Sequence, residues 1–595
     1  MHDIGQRNEK PLIRMTDRRL LDDGRHHETL CFYRQAAAQT VGAAQPQKSS
    51  GSKHLDYRSR SDAPMKREVT QRKRSALQKR FGFQLSRIAR KQVLVALLLG
   101  TLSLVGRAVL LRFVPIPKPG IQDEFSYLLA ADTYASGRLT NPKHPLWIHF
   151  ETVHLIVQPT YQSKYPPVQG MLLGIGQVIF GDPWFGVWLS MGVMSAAIYW
   201  ALAGWLPPKW AALGGVLALI HVGFFNYWSE SYWGGSAAAA AGALVIGAVP
   251  RLRRKPSTKT AILLGSGLAL LANTRPFEGA VLGMLCIGTV LMKVPIKQLA
   301  VPFAITLIPA ALGMMYYNYR VTGDPLRMPY MEHERQYATS SPFIWQSRAR
   351  PAPHYNHEAL RATYVGWDQA LRARARAHPF LVRTVDFLIM DDFFLGLPLT
   401  LCVVGFVAGM LAKPHRTRLA VLLLLLFMAG LELEVTVLPH YAAPATALVY
   451  IAATSALRRL RHFSPFWFQG VVALIVLSDI TALASPGNRW LYDKRDFIAR
   501  RQGVLRRLDQ SPGKQLVLVE YGKGHDVNQE WVYNRADIDR SRIVWARGMG
   551  AERDRELLEY YPDRQVWRLV DHGDEGVDLS RLDRPAERAH AVVKR

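Results

Sequence analysis

Long apolar runs recur through the middle of this 595-residue chain, from about residue 93 to residue 484. A helix needs about 20 apolar residues to cross the hydrocarbon core of a bilayer, where all of its backbone polar groups bond within the segment. A membrane accommodates each run directly, whereas a soluble fold would have to bury them all. We therefore predict a mainly α-helical fold, a polytopic membrane bundle of about eleven transmembrane helices.

The distribution of Lys and Arg orients this bundle. The predicted spans are residues 93–114, 184–206, 210–228, 235–250, 260–273, 278–293, 298–317, 388–411, 418–435, 439–457 and 467–484. The apolar run 168–180 is short for a span, and we predict a non-crossing interfacial or re-entrant helix there. With that choice, basic residues collect in alternate loops, as cytoplasmic loops require. Arg107 and Arg112 lie near the outer end of the first span, and we predict that they snorkel to the interface; the alternative is a functional charge.

Both ends of the chain are polar. Residues 1–91 lack helical periodicity and carry basic clusters, which predicts a mostly disordered cytoplasmic tail. Residues 485–595 alternate strand-like runs at 516–522, 543–547 and 566–570 with a helical segment at 553–561, which predicts a small extracytoplasmic α/β domain. The net charge of +28 lies in the tail and cytoplasmic loops, so it does not indicate a nucleic-acid partner.

The three cysteines indicate neither a disulfide framework nor a zinc site. Cys31 lies in the tail, and Cys286 and Cys402 lie within apolar runs without metal-ligand spacing. The Ala- and Gly-rich run 236–248 predicts close helix packing rather than a site.

The predicted topology gathers the unusual polar segments on one outer face. These segments are the loop 115–183, the turns 229–234 and 273–278, the long loop 318–387, the turn 431–440 and the C-terminal domain. The loop 115–183 opens with the acid pair Asp123 and Glu124, directly after the first span. An acid at a membrane boundary costs desolvation unless it is hydrated, paired or used, so the pair predicts a functional site. The alternative is that both acids cap a helix beginning near Phe125.

Three segments together resemble a known family. They are DEFSYLLAADTYASG at 123–137, KYPPVQGMLLGIGQVIFGD at 164–182 and HYAAP at 440–444. Their order and membrane placement resemble the C-type glycosyltransferases, in particular the protein O-mannosyltransferase and lipid A aminoarabinose transferase relatives, over roughly residues 93–484.

The resemblance implies transfer of a sugar from a polyprenyl-phosphate donor to an acceptor hydroxyl, with inversion, at the outer face of a bacterial-type inner membrane. The acceptor would be a lipid, a glycan or a protein. Asp123 matches the catalytic acid of the family and would act as general base, because the acceptor hydroxyl must lose a proton. Glu124 would position Asp123 or the acceptor, since adjacent helical residues point about 100° apart.

Stabilising the leaving phosphate requires cations or hydrogen-bond donors at the outer boundary. The candidate substrate-binding residues are Lys164, Tyr165, Glu230, Arg275, Glu278, His440 and Tyr441. Alternatives stay open: Lys164 as an interfacial anchor, Arg275 paired with Glu278 across one turn, and His440 as a cap. His440 also replaces the commoner Arg of the family motif, which weakens the transfer of a phosphate contact to it.

Other outer residues have two interpretations each. Glu230 is either a third site carboxylate or a solvated turn residue. A divalent cation is conceivable among Glu432, Glu434, Asp391 and Asp392, although their spacing selects no metal and no cofactor is certain. The aromatic residues of the long loop suit either carbohydrate stacking or the interfacial belt; they are Tyr330, Tyr337, Phe343, Trp345, Tyr355 and Trp367.

Two rival functions fit a polytopic chain. A lipid or glycan transporter would place polar residues near the midplane, whereas this chain keeps its acids mainly at one boundary, which favours the enzyme. The other rival is a non-catalytic envelope scaffold.

The predicted orientation is testable. A reporter fused after Arg595 that is active only outside the cytoplasm should give full activity, because the positive-inside distribution places the C-terminal domain there. Activity of a cytoplasm-specific reporter at the same position would contradict the span count.

Overall fold

The computed structural model describes residues 91–223, 226–340, 342–346, 351–412, 417–484, 494–522 and 524–582. The predicted tail before residue 91 lies outside these residues, and so does Cys31. The helices are α1 Gln92–Leu110, α2 Gln122–Ala135, α3 Pro167–Phe180, α4 Trp184–Trp205, α5 Pro208–Ala218, α6 Ser236–Arg254, α7 Thr258–Ala272, α8 Pro276–Leu291, α9 Lys297–Thr322, α10 Pro329–Tyr337, α11 Glu358–Arg361, α12 Asp368–Ala377, α13 Pro379–Phe394, α14 Gly396–Ala412, α15 Arg418–Leu431, α16 Thr446–Phe463, α17 Pro465–Ala484, α18 Arg495–Gln510 and α19 Ala551–Tyr560.

Seven strands form two sheets in the described residues. The strands are β1 Asn141–Pro142, β2 Leu155–Ile156, β3 Thr160–Ser163, β4 Lys514–Tyr521, β5 Ile543–Arg547, β6 Arg564–Asp571 and β7 Val577–Leu582. The first three make a small antiparallel sheet in the order β1-β3-β2, within the loop between α2 and α3. The others form the sheet β5-β4-β6-β7, in which β4 pairs in parallel with β5 and β6. The predicted strands and helix of the C-terminal α/β domain are all present.

The membrane region is less regular than the predicted spans. Among the described residues, three helices, α1, α4 and α9, are long and apolar enough to cross a membrane, and α13 with α14 makes a fourth if the bent pair is one span. The helices α3, α7, α8 and α15 are apolar but only 14–16 residues long. The mostly helical membrane fold is therefore present, and the count of about eleven stays a prediction.

The predicted span 388–411 is interrupted. The helices α13 and α14 meet at an angle of 106°, with the break at Leu395. Gly396 has φ +67°, a left-handed conformation that glycine adopts without a Cβ clash. The prediction of one continuous helix was wrong here, because the apolar composition continues through a glycine turn.

The Ala- and Gly-rich helix α6 is a packing element, as predicted. A Cβ added at Gly242 would lie 1.9 Å from the carbonyl oxygen of Pro444. A side chain at this position would therefore separate α6 from the turn that precedes α16.

Helix α2 is shared between two hydrophobic cores. Tyr127 and Ala131, one helical turn apart, pack in the core of the membrane bundle. Phe125 and Leu129 pack in the core of the C-terminal domain. Because residues i and i+4 share a helix face, these pairs define two faces that bury α2 on both sides. The helix that carries the acid pair is thus fixed by both parts of the chain.

The C-terminal domain contacts α2 at three levels. The Lys494 Nζ atom lies 2.5 Å from Glu124 Oε2 at the first turn. The Tyr533 ring stacks on Phe125, with centroids 4.6 Å apart. At the last turn the guanidinium of Arg535 lies 2.7 Å from Asp132 Oδ1. These contacts place the C-terminal domain and the acid pair on the same face of the protein.

We expect the Lys494→Met variant to be destabilised by about 3–5 kcal/mol, because it leaves the buried Glu124 charge without its cation. The measurement is chemical unfolding of the full chain in detergent, followed by tryptophan fluorescence. The double variant Glu124→Gln/Lys494→Met removes both charges and should lose less stability. Equal losses in the two variants would contradict a paired buried charge.

Candidate active site

The first turn of α2 sets the direction of the two acids. Glu124 accepts the backbone N–H groups of Gly120 and Ile121 at 2.8 and 3.3 Å, which completes a capping arrangement at the start of the helix. Its other oxygen accepts the Tyr232 N–H at 3.3 Å, and its side chain is fully buried. Glu124 is therefore engaged in holding the helix, which fits a positioning role and the predicted capping alternative.

Asp123 points toward a different group of residues. The Tyr165 hydroxyl donates a hydrogen bond to Asp123 Oδ1, and His154 Nε2 lies 3.8 Å from the same oxygen. The Tyr165 ring stacks on Tyr127, with centroids 4.5 Å apart. The Asp123 side chain keeps 23% exposure, so the carboxylate is accessible from one side.

The surroundings of Asp123 tune its acidity. Burial raises the pKa of the Asp123 carboxyl, while the hydrogen bond from Tyr165 and the charges of Lys164 and Arg275 partly offset the rise. A carboxylate with a raised pKa is a stronger base than a free aspartate. The arrangement suits general-base chemistry.

Lys164 brings a buried cation to this group. The residue is 6% exposed, and its ammonium lies 5.3 Å from the ring centroid of Tyr165 and 5.1 Å from that of Tyr330. Within the described residues, the ammonium has neither a hydrogen bond nor an ion pair at contact distance. Burial lowers the Lys164 pKa, and the charges of Glu334 and Asp123 oppose this shift. A buried cation without a contacting anion fits a site for an anionic ligand.

Arg275 approaches from the membrane bundle. Its Nη1 atom lies 3.6 Å from Glu278 Oε1, across one turn at the start of α8, as the predicted alternative had it. Its guanidinium also lies 4.8 Å from the ring centroid of Tyr441. Because the charge of Arg275 acts on Asp123, these residues belong to one electrostatic group.

His440 packs against Tyr441, the residue that contacts Arg275. The residue is 3% exposed, and its Nδ1 atom lies 3.0 Å from the Tyr227 hydroxyl. Its ring contacts those of Trp233 and Tyr441, at 5.0 and 4.7 Å between centroids. Helix α16 begins later, at Thr446. His440 precedes the helix and packs within an aromatic cluster.

Glu230 and Arg107 form a separate buried pair. Arg107 Nε lies 2.7 Å from Glu230 Oε1 and Arg107 Nη2 lies 3.2 Å from Oε2, and both side chains are 1% exposed. The guanidinium also lies 4.8 Å from the Trp184 ring centroid. The prediction that Arg107 snorkels to the interface was wrong, because a carboxylate 123 residues further along the chain folds back onto it. The alternative of a solvated Glu230 was also wrong.

The remaining outer acids are dispersed. Glu432 lies 2.7 Å from Arg383, Asp391 accepts a hydrogen bond from Thr400, and the backbone carbonyl oxygen of Glu434 accepts one from Arg383. Across the part of the chain that the structure describes, no group of three or more His, Cys, Asp or Glu side chains could hold a metal ion. These acids therefore do not define a ligand set for the divalent cation considered from the sequence.

The aromatic residues of the long loop divide between two environments. Tyr337 and Tyr355 stack with Tyr364, at 5.8 and 6.2 Å between ring centroids. Trp345 and Trp367 keep 54% and 42% exposure, respectively. The tyrosines thus pack beside the site, and the tryptophans suit the interfacial belt.

Sequence reasoning missed His154, and it placed His333 in the long outer loop as part of a lid or acceptor surface, without linking it to Asp123. His154 approaches Asp123, and the His333 ring lies 6.0 Å from that of His154. His154 lies in the apolar segment HLIV and His333 in a polar helix, and neither has a spacing that marks it. Only the tertiary fold brings these loops together.

No family model matches the sequence, and no curated protein matches it. Two solved structures match with a TM-score of 0.45. The oligosaccharyltransferase of Archaeoglobus fulgidus, in complex with Zn and sulfate, is 11% identical, covering 81% of this chain and 68% of that chain. ArnT from Cupriavidus metallidurans, bound to undecaprenyl phosphate, is 14% identical, covering 78% of this chain and 92% of that chain. Both are C-type glycosyltransferases, the family that the motifs resemble.

Proposed function

We propose that this protein is a membrane glycosyltransferase that moves a sugar from a polyprenyl-phosphate donor to an acceptor hydroxyl. One observation carries the proposal: Tyr165 contacts both the accessible carboxylate of Asp123 and the buried ammonium of Lys164, which has no anion in contact among the described residues. A base near a cation that can bind an anion is what transfer from a phosphate leaving group requires.

Each residue of the site has a separate role in the proposed reaction. Asp123 accepts the proton as the acceptor O–H bond breaks, and the acceptor oxygen forms a bond to the anomeric carbon from the face opposite the phosphate. The bond from that carbon to the phosphate oxygen breaks, so the configuration inverts and the carrier phosphate leaves. Lys164 and Arg275 stabilise the negative charge that develops on this phosphate.

The neighbouring residues hold this arrangement. Tyr165 orients Asp123 by donating to Oδ1, and Glu124 fixes the first turn of α2. Tyr441 supports the guanidinium of Arg275, and His440 packs against Tyr441. Glu230, paired with Arg107, contributes through the turn whose Tyr232 N–H bonds to Glu124.

The proposed setting is a bacterial-type inner membrane, with about eleven spans, a cytoplasmic N-terminus and the site at the outer face. The contact between Lys494 and Glu124 supports a C-terminal domain on the same side as the site. The proposed donor sugar is a hexose or pentose, and the acceptor is a lipid, a glycan or a protein.

The variants Asp123→Asn and Lys164→Met test the two halves of the proposal. In detergent-purified protein, Asp123→Asn should slow transfer of radiolabelled sugar from a membrane-extracted lipid pool by about 10²–10⁴-fold, the usual contribution of a general base. Because Asp123→Asn leaves the cations in place, polyprenyl-phosphate lipids should still co-purify with it, as seen by mass spectrometry. Lys164→Met should lose these lipids.

Two results would contradict this assignment. Normal transfer by Asp123→Asn would exclude the catalytic base. Absence of polyprenyl-phosphate lipids from the unmodified protein and from both variants, together with absence of transfer, would favour the transporter or scaffold. The Arg320→Gln variant is the control, because Arg320 is exposed and bonds only to Tyr316 among the described residues.

The pH dependence of the transfer rate follows from the shifted pKa values of Asp123 and Lys164. Asp123 must be deprotonated to accept a proton, and its pKa is raised, so the rate should fall on acidification at a higher pH than for an ordinary aspartate. Lys164 must be protonated to bind the phosphate, and its pKa is lowered, so the rate should also fall on the alkaline side, below the usual lysine range. A bell-shaped profile of kcat/KM is expected. Lys164→Arg should move the alkaline limb to higher pH, and an unmoved limb would contradict the role of Lys164.

A further inference from the structure

Two histidines beside Asp123 each leave a ring nitrogen unused. In the described residues, the Nδ1 atoms of His154 and His333 are buried and have no hydrogen-bond partner. The His333 side chain is 1% exposed, and its Nε2 atom lies 3.0 Å from the Tyr364 hydroxyl. Because a buried polar atom without a partner is costly, two such atoms in neighbouring rings are suited to hydrogen-bond a ligand.

The backbone of His154 is also unusual. His154 is the one residue other than glycine with a positive φ, 66°, in the described part of the chain. Its carbonyl oxygen accepts hydrogen bonds from Ser126 Oγ at 2.8 Å and from the Lys164 N–H at 3.2 Å. Residues with a Cβ rarely adopt this conformation, and such outliers cluster at functional sites. The two hydrogen bonds hold the His154 imidazole beside the Asp123 carboxylate despite the energetic cost of the left-handed backbone.

The chemistry of His154 and His333 differs from that of the cations proposed to bind the phosphate. Burial lowers the pKa of both imidazoles, and the nearby Lys164 charge acts in the same direction, so both rings are neutral at physiological pH. A neutral imidazole donates at one nitrogen and accepts at the other, which matches a hydroxyl, since a hydroxyl also does both. The phosphate needs cations, and these rings do not provide them.

We propose that His154 and His333 form a subsite that binds the hydroxyl groups of the donor sugar. The position is consistent with this role: His154 Nε2 is 3.8 Å from Asp123 Oδ1, and Tyr165, which donates to the same oxygen, has its ring centroid 5.3 Å from the Lys164 ammonium. A sugar linked to a phosphate at Lys164 would carry its hydroxyls past Asp123 to the two rings. The stacked rings of Tyr337 and Tyr364 lie against His333, at 5.2 and 5.8 Å, and provide an apolar wall. This inference rests on the proposed function and specifies which part of the donor the site distinguishes.

The test compares carriers with and without a sugar. The probes are undecaprenyl phosphate and its hexosyl, pentosyl and N-acetylhexosaminyl esters, titrated calorimetrically into the full chain in detergent. At least one ester should bind more tightly than the bare carrier. His154→Gly keeps the left-handed backbone and His333→Phe keeps the ring packing, and each should reduce this preference by about two- to tenfold, as expected for one lost hydrogen bond. Affinity for bare undecaprenyl phosphate should stay unchanged in both.

The controls distinguish a failure of the sugar subsite from a failure of the proposed phosphate site. His462→Phe, at the exposed end of α16, should change neither affinity. Lys164→Met should weaken binding of both kinds of carrier. If no ester binds more tightly than the bare carrier, or if the preference survives in His154→Gly and His333→Phe, the subsite is excluded while the phosphate site stands. If the bare carrier itself does not bind, the proposed function fails and the subsite is excluded with it.

Discussion

The buried carboxylate of Glu124 is the interaction on which the rest of the site depends. It joins the loop after α1 through Gly120, the turn before α6 through Tyr232, and the start of the C-terminal domain through Lys494. Removing a carboxylate from water costs several kcal/mol unless it is paired and hydrogen-bonded, so these three segments are required together. A single charge thereby brings together parts of the chain 370 residues apart.

This charge determines what its neighbour can do. Adjacent residues on a helix point about 100° apart, so a Glu124 turned inward leaves Asp123 facing the group around Tyr165 and Lys164. The two cores on either side of α2 prevent the helix from rotating to exchange these roles. One acid holds the helix and the other stays accessible, although their chemistry is the same.

The local features of this chain were predictable and the long-range ones were not. The helix start at the acid pair, the Arg275 pair with Glu278 and the strands of the C-terminal sheet follow from spacing within a few residues. The Arg107 pair with Glu230 and the approach of His154 to His333 depend on how distant loops meet. Hydropathy alone also missed the break at Gly396, because the residues on both sides of it are apolar. Pattern reasoning therefore located the acids and left their partners to the tertiary structure.

The 106° angle between α13 and α14 has a consequence for how the protein is seated in its bilayer. Two helices at nearly a right angle cannot both run parallel to the bilayer normal, so the predicted span 388–411 is not one straight crossing. Helix α13 exposes Phe380 at 86% and Phe387 at 56%, so this arm of the bend presents large apolar rings outward, as helices that contact lipid do.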